Sequence, residues 1–133
     1  MENIKISDDI IKRMENDRFI KYCGVKLDEI KPGYARASLE VQDIHLNGVN
    51  IIQGGVLFTL ADFTFAAAAN SRGKVAVAIE SSISFIKGIS SGKIIAEAQE
   101  LSCKKTLARY DVRISTDNGE LIAVYHGTAF RKD

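Results

Sequence analysis

Val56-Leu57-Phe58-Thr59-Leu60-Ala61-Asp62-Phe63-Thr64-Phe65-Ala66-Ala67-Ala68-Ala69 is the stretch on which the fold turns. Only Thr59, Asp62 and Thr64 are polar in it. Gly54-Gly55 opens it and Asn70-Ser71-Arg72-Gly73 closes it. A helix that is apolar on nearly every face must be surrounded by protein. The run falls short of the roughly 20 residues needed to span a bilayer and carries a carboxylate, so it reads as a core helix.

The flanks supply the wrapping. Residues 25–30 and 34–41 largely alternate in polarity, as half-buried strands do, with Lys31-Pro32-Gly33 turning between them. After the helix, residues 75–86, 93–101, 107–116 and 120–130 carry β-branched or aromatic alternation. Ser90-Ser91-Gly92 and Asp117-Asn118-Gly119 are turn chemistry, and such short connections predict antiparallel neighbours. The expected architecture is α+β: six strands and a long helix in the order β-β-α-β-β-β-β, with the sheet curling around the helix. Ser7-Asp8-Asp9 predicts the N-cap of a peripheral first helix running to about Phe19. No tandem repeat interrupts the 133 residues, and one domain over 1–133 is expected. An open sheet edge invites a second copy, so at least a dimer is expected.

A net charge of +1 with mixed signs lacks the basic footprint that nucleic acid requires. Cys23 and Cys103 fit no CxxC or zinc spacing and read as reduced, mostly buried thiols. The first six residues lack the apolar run of a secretory signal, which predicts a cytoplasmic protein, and no membrane association is expected.

Asp62 breaks the local rule, because a buried ionised carboxylate is costly unless paired or hydrogen-bonded. It is a candidate general base or nucleophile at the mouth of an apolar pocket, or a structural carboxylate bonded to nearby hydroxyls or a partner subunit. Gly54-Gly55 sits where the first helical N–H groups lack intrahelical partners and the macrodipole is positive, the makings of an oxyanion hole. Tight backbone packing explains such a pair equally well. Asn47-Gly48 is a β-turn signal whose amide could also hold water or substrate. His45 and His126 show no spacing to a nucleophile or a metal cluster and read as structural or surface residues.

The segment from Asn47-Gly48 through Gln53-Gly54-Gly55 to Leu60-Ala61-Asp62 resembles the signature of phenylacetate-pathway-type hot-dog thioesterases. That pattern has Asn-Gly, then His-Gly-Gly, then Leu-Ala-Asp at the same spacing, with histidine where this chain has Gln53. The similarity runs over about residues 23–131 and includes Ser84-Phe85-Ile86-Lys87-Gly88 and the Lys104-Lys105-Thr106 hairpin.

The resemblance implies an acyl-CoA thioesterase without a cofactor or metal, coenzyme A being part of the substrate. Asp62 would activate water or attack the thioester. The Gly54 amide would polarise the carbonyl, with Gln53 and Gly55 in the same turn, and Asn47 would position water or the carbonyl. The site would straddle a homodimer, Asp62 of one chain facing Asn47, Gln53 and Gly54 of the other, and a dimer of dimers is expected. Lys87, Lys104, Lys105 and Arg109 are candidates for the coenzyme A phosphates. Phe58, Phe63, Phe65 and Phe85 suggest an apolar acyl pocket for an aryl or medium-chain group. Gln53 cannot titrate as histidine does, which keeps a non-catalytic acyl-CoA-binding protein as the alternative. A hydratase using Asp43 and His45 ranks below both.

Overall fold

The computed structural model describes residues 6–132. In chain order they form α1 (Asp8–Glu15), α2 (Arg18–Cys23), β1 (Lys26–Lys31), β2 (Tyr34–Glu40), a 3-10 turn (Asp43–His45), α3 (Gly54–Asn70), β3 (Ala76–Phe85), β4 (Lys93–Cys103), β5 (Leu107–Thr116) and β6 (Leu121–Arg131). One sheet holds all six strands in the order β1-β2-β4-β5-β6-β3, each antiparallel to its neighbours.

α3 is the predicted core helix. Leu60, Ala61, Thr64, Phe65, Ala67 and Ala68 are essentially without solvent contact. Thr59 and Thr64 bond back to the carbonyls of Gly55 and Leu60 at 2.8 and 2.7 Å, so two of the three polar residues are satisfied inside the helix. A carboxylate has no proton to offer a carbonyl, so Asp62 cannot use this route.

The inner face of the sheet is built small: Ala35 and Ala37 on β2, Ala96 and Ala98 on β4, Ala108 on β5 and Ala129 on β6 are all buried. Short side chains let the helix axis approach, and larger residues fill what remains. Phe65 packs against Tyr110 and Tyr125 with ring centroids 5.6 and 5.8 Å apart. Gly127 lies beneath the same ring, where an added Cβ would come within 2.9 Å of it.

The far end of α3 is tied down by polar side chains. Asn70 bonds the carbonyls of Ala66 and Ala76 and accepts from the Ala76 N–H. Buried Ser71 donates to the Ala68 carbonyl and accepts from the Gly33 N–H at 2.8 Å, joining the helix end to the β1–β2 turn. Gly33 adopts φ 76°, a conformation that favours glycine. Beside it Arg72 grips Glu100 through two 2.9 Å bonds, and Tyr110 donates to the same carboxylate.

Two expectations are corrected. The first helix does not run to Phe19: Asn16 ends α1, Asp17 caps α2 by accepting from the Ile20 N–H at 3.1 Å, and α2 packs through Ile20 and Cys23. α1 has no buried residue and is peripheral, as predicted. Ser90-Ser91-Gly92 does not close a hairpin, because β3 pairs with β6 and β4 with β2. The connection instead crosses beneath the entrance to α3, where the Ile52 N–H bonds the Ile89 carbonyl and Ser90 bonds the Asn50 carbonyl. Both cysteines are free; Cys23 is buried, whereas Cys103 is half-buried.

Gly127→Ala is expected to cost about 1–3 kcal/mol, because Phe65 is enclosed and cannot give way. Urea denaturation should show a lower midpoint with an unchanged slope.

Candidate active site

Asp62 lies two turns into α3, half-buried, and is the residue the helix cannot satisfy from within. Tyr125 of β6 reaches across and donates to Asp62 Oδ1 at 3.1 Å. The Tyr125 oxygen is 2.6 Å from Ser81 Oγ on β3, so with the Tyr125 proton directed at Asp62 the serine donates to the tyrosine. Phe58 packs edge-on against the Tyr125 ring, centroids 5.5 Å apart. Burial raises the Asp62 carboxyl above the ordinary aspartate value, the Tyr125 bond opposes this in part, and the negative charge of Asp17 adds to it. Burial likewise raises the Tyr125 phenol well above its usual range, keeping it a donor.

Asp62 opens onto a pocket of about 310 Å³ between α3 and the α1–α2 joint, with Phe58 and Phe63 on one wall and Phe19 and Ile20 on the other. Of the four phenylalanines expected at an acyl pocket, Phe58 and Phe63 are here. Phe85 lines a separate pocket near Gly54, and Phe65 is core.

The second half of the constellation is the start of α3. Gln53 is its N-cap, and its side-chain oxygen accepts from the Gly55 N–H at 2.9 Å. The Val56 and Leu57 N–H groups both reach the Gln53 carbonyl. Of the first four helical donors, only the Gly54 N–H has no partner among the described residues. Gly54 lines an apolar pocket of about 370 Å³ together with Ile51, Leu57, Phe85, Ile86 and the crossing connection. A Cβ on Gly54 would sit 3.0 Å from the Phe85 ring, so glycine permits that close packing.

Asn47 builds the approach to this turn. Its side-chain oxygen accepts from Val49 and Ile51 N–H at 3.0 and 3.1 Å, which commits the oxygen to the turn and leaves the amide group as a donor. His45 is structural, as read from the sequence. Its Nδ1 accepts from the Gln42 N–H at 2.9 Å and its Nε2 donates to the Cys23 carbonyl at 2.7 Å, so neither nitrogen is left for a hydratase. The Gln53 N–H bonds the His45 carbonyl, linking α2, the 3-10 turn and the α3 cap into one unit.

Asp62 is eight residues beyond Gly54, about 12 Å along the helix. Asn47, Gln53, Gly54 and Gly55 are therefore together at one end of α3, while Asp62 opens on a different pocket of the same chain. Lys87 stands at the Gly54 end, paired with Glu120 at 2.5 Å. Lys104 and Lys105 are exposed in the β4–β5 hairpin, at the sheet end where α3 finishes. Arg109 is exposed on β5. His126 pairs with Asp111 at 3.0 Å on the sheet, away from Asp62.

Ser81, Tyr125 and Asp17 were missed from the sequence. Tyr125 did carry a signal: it is a large polar-tipped residue among the small residues Ala123 and Gly127 of a buried strand. No group of three or more His, Cys, Asp or Glu side chains able to hold a metal ion occurs among the described residues.

A six-stranded antiparallel sheet wrapped around a long, largely buried helix, with a free N–H at the helix start and a half-buried carboxylate further along, is the hot-dog architecture. The chain belongs to the Thioesterase superfamily, whose family model matches residues 50–123. Within that superfamily its similarity is to the PaaI type. Acyl-coenzyme A thioesterase PaaI of Escherichia coli is 34% identical over 118 residues, spanning 88% of this chain and 84% of that protein. A putative esterase of Archaeoglobus fulgidus is 39% identical over 118 residues, spanning 88% of this chain and 77% of its own. The structure of the E. coli PaaI protein superposes with a TM-score of 0.89 at 30% identity, covering 97% of each chain.

A raised carboxyl value in the folded state means that the folded protein holds more protons than the unfolded one between the two values, so Asp62 destabilises the fold as pH rises through that window. Asp62→Asn is therefore expected to melt a few degrees above wild type at pH 7–8, with the gap closing below pH 3.8, the ordinary aspartate value. Thermal melts across that pH range check the sign.

Proposed function

We propose that the protein hydrolyses acyl-coenzyme A thioesters at a site completed across a two-fold axis, with Asp62 of one protomer facing Asn47, Gln53 and Gly54 of its partner. The observation that carries this is the separation of two complementary groups. One is a free backbone donor at a helix start, the other a half-buried carboxylate about 12 Å along the same helix. Those two groups are too far apart in one chain to serve a single carbonyl.

β3 offers the means of bringing them together. It is an edge strand with Val77, Ile79 and Phe85 exposed, an apolar edge suited to pairing with its own copy. Antiparallel pairing of two β3 strands brings the Gly54 end of one protomer towards the α3 end of the other. The hairpin with Lys104 and Lys105 then approaches the partner's Gly54 end, where these lysines and Lys87 can meet the phosphates of coenzyme A. Two such dimers would associate as a dimer of dimers.

In the reaction, Asp62 takes a proton from water as the water oxygen bonds the thioester carbon. The carbonyl oxygen gains negative charge against the partner's Gly54 N–H, with the Asn47 and Gln53 amide groups available as further donors. The carbon–sulfur bond then breaks, releasing coenzyme A thiolate and the free acid. Tyr125 and Ser81 hold the carboxylate in place. Gln53, with its oxygen committed to the helix cap, contributes as an orienting donor and not as a titrating group.

Asp62→Ala should abolish thiol release from a panel of aryl and medium-chain acyl-coenzyme A esters while leaving the dimer intact. Binding without turnover on every ester by the wild-type protein would make this an acyl-coenzyme A-binding protein instead. The donor role has a cleaner test. Proline is well tolerated at the first helical position, and Gln53 is already extended (ψ 136°), so Gly54→Pro removes the N–H without breaking α3. Gly54→Pro is expected to lose about 10²–10³-fold in kcat relative to Gly54→Ala, which adds the same Cβ but keeps the donor. Mixing inactive Asp62→Ala with inactive Gly54→Pro should restore about a quarter of the wild-type rate, since about half of all dimers are then mixed and each mixed dimer carries one complete site of its two.

A further inference from the structure

Asp17 is a charged group in the Asp62 pocket that the proposed reaction does not use. It stands at the joint between α1 and α2, where its carboxylate caps α2 by accepting from the Ile20 N–H at 3.1 Å. That bond fixes the side chain in place. Both carboxylates line the same pocket of about 310 Å³, whose other residues include Phe19, Ile20, Phe58 and Phe63, and no lysine, arginine or histidine among the described residues lines it. The negative charge of Asp17 is felt at Asp62, adding to the effect of burial on that carboxyl.

A pocket that carries two carboxylates, with no lining cation among the described residues, disfavours a third anion, because like charges repel, and with Asp17 at the exposed rim that repulsion is open to screening by salt. A neutral acyl group pays no such penalty and gains apolar contact with the aromatic wall. We propose that Asp17 is a charge-selectivity residue of the acyl pocket, which admits neutral acyl groups and rejects those ending in a carboxylate. This rests on the thioesterase reading above. The selecting wall comes from the N-terminal helices, outside the segment that defines the superfamily in this chain.

Hexanoyl- and adipoyl-coenzyme A test it, since the two acyl chains have equal carbon number and differ in their terminal carboxylate. Asparagine is as good an N-cap as aspartate, so Asp17→Asn removes the charge and keeps the start of α2. The ratio of kcat/KM for hexanoyl over adipoyl should be at least about tenfold in wild type and fall about tenfold in Asp17→Asn at low ionic strength. Raising salt should compress the wild-type ratio and affect the variant's ratio less, because screening acts on the charge that the variant lacks. A salt-independent wild-type ratio counts against the proposal even if the variant fails to fold, since the coenzyme A charges are common to both esters and cancel in the ratio. Equal hydrolysis of both esters by wild type, a salt-independent ratio, or a ratio unchanged in Asp17→Asn overturns the proposal while leaving the thioesterase reading intact. Hydrolysis of neither hexanoyl-coenzyme A nor any other ester defeats that reading first, and this one with it.

Discussion

A helix that buries all but one narrow stripe, the line of Gly55, Phe58, Asp62 and Ala66, obliges the rest of the chain to enclose it. The sheet answers with alanines on its inner surface where α3 comes close, and with Tyr110 and Tyr125 packed on Phe65 of the helix where it does not. The helix ends are then secured by polar side chains: Gln53 at the start, Asn70 and Ser71 at the finish. Satisfying Asp62 falls to Tyr125, which is both a core residue packed on Phe58 and Phe65 and the donor that holds the carboxylate. Packing and chemistry thus meet in one side chain.

The same enclosure sets the division of the site. In the proposed reaction one helix carries both the anion-stabilising donor and the base, and its rigidity keeps them apart by a distance that no side-chain movement closes. Rigidity makes each half well organised and leaves neither sufficient for one carbonyl. Burial of Asp62 then has two consequences of opposite value: it weakens the fold as the carboxylate ionises, and it leaves that carboxylate poorly solvated and more basic.

Much of this was legible in the sequence because it depends on local pattern. The apolar run 56–69 announced the core helix, the alternating segments announced six strands, and the spacing from Asn47 to Asp62 drew attention to both halves of the constellation. What escaped depends on partners distant in the chain. The continuing apolar rhythm from Ile10 to Ile20 masked the cap at Asp17, so one helix was expected where the chain makes two. The connection after β3 has the length and composition of a hairpin loop, and only the competition among strands for neighbours sends it across the fold. Ser81 meets Tyr125 through the β3–β6 register, which no local pattern encodes.

The strand order also governs what happens while the chain is being made. β3 is translated immediately after α3 yet finds its neighbour only in β6, the last element of the sheet. Until β6 emerges, the nascent chain carries an apolar helix with an incomplete wrapper and an apolar strand with neither edge covered. Contacts of such long sequence separation form slowly, because the loop between them must close first. Biosynthesis therefore has a vulnerable interval lasting until β6 has been made, in which a chaperone or a slow encounter with other chains decides whether the core closes or the exposed segments aggregate.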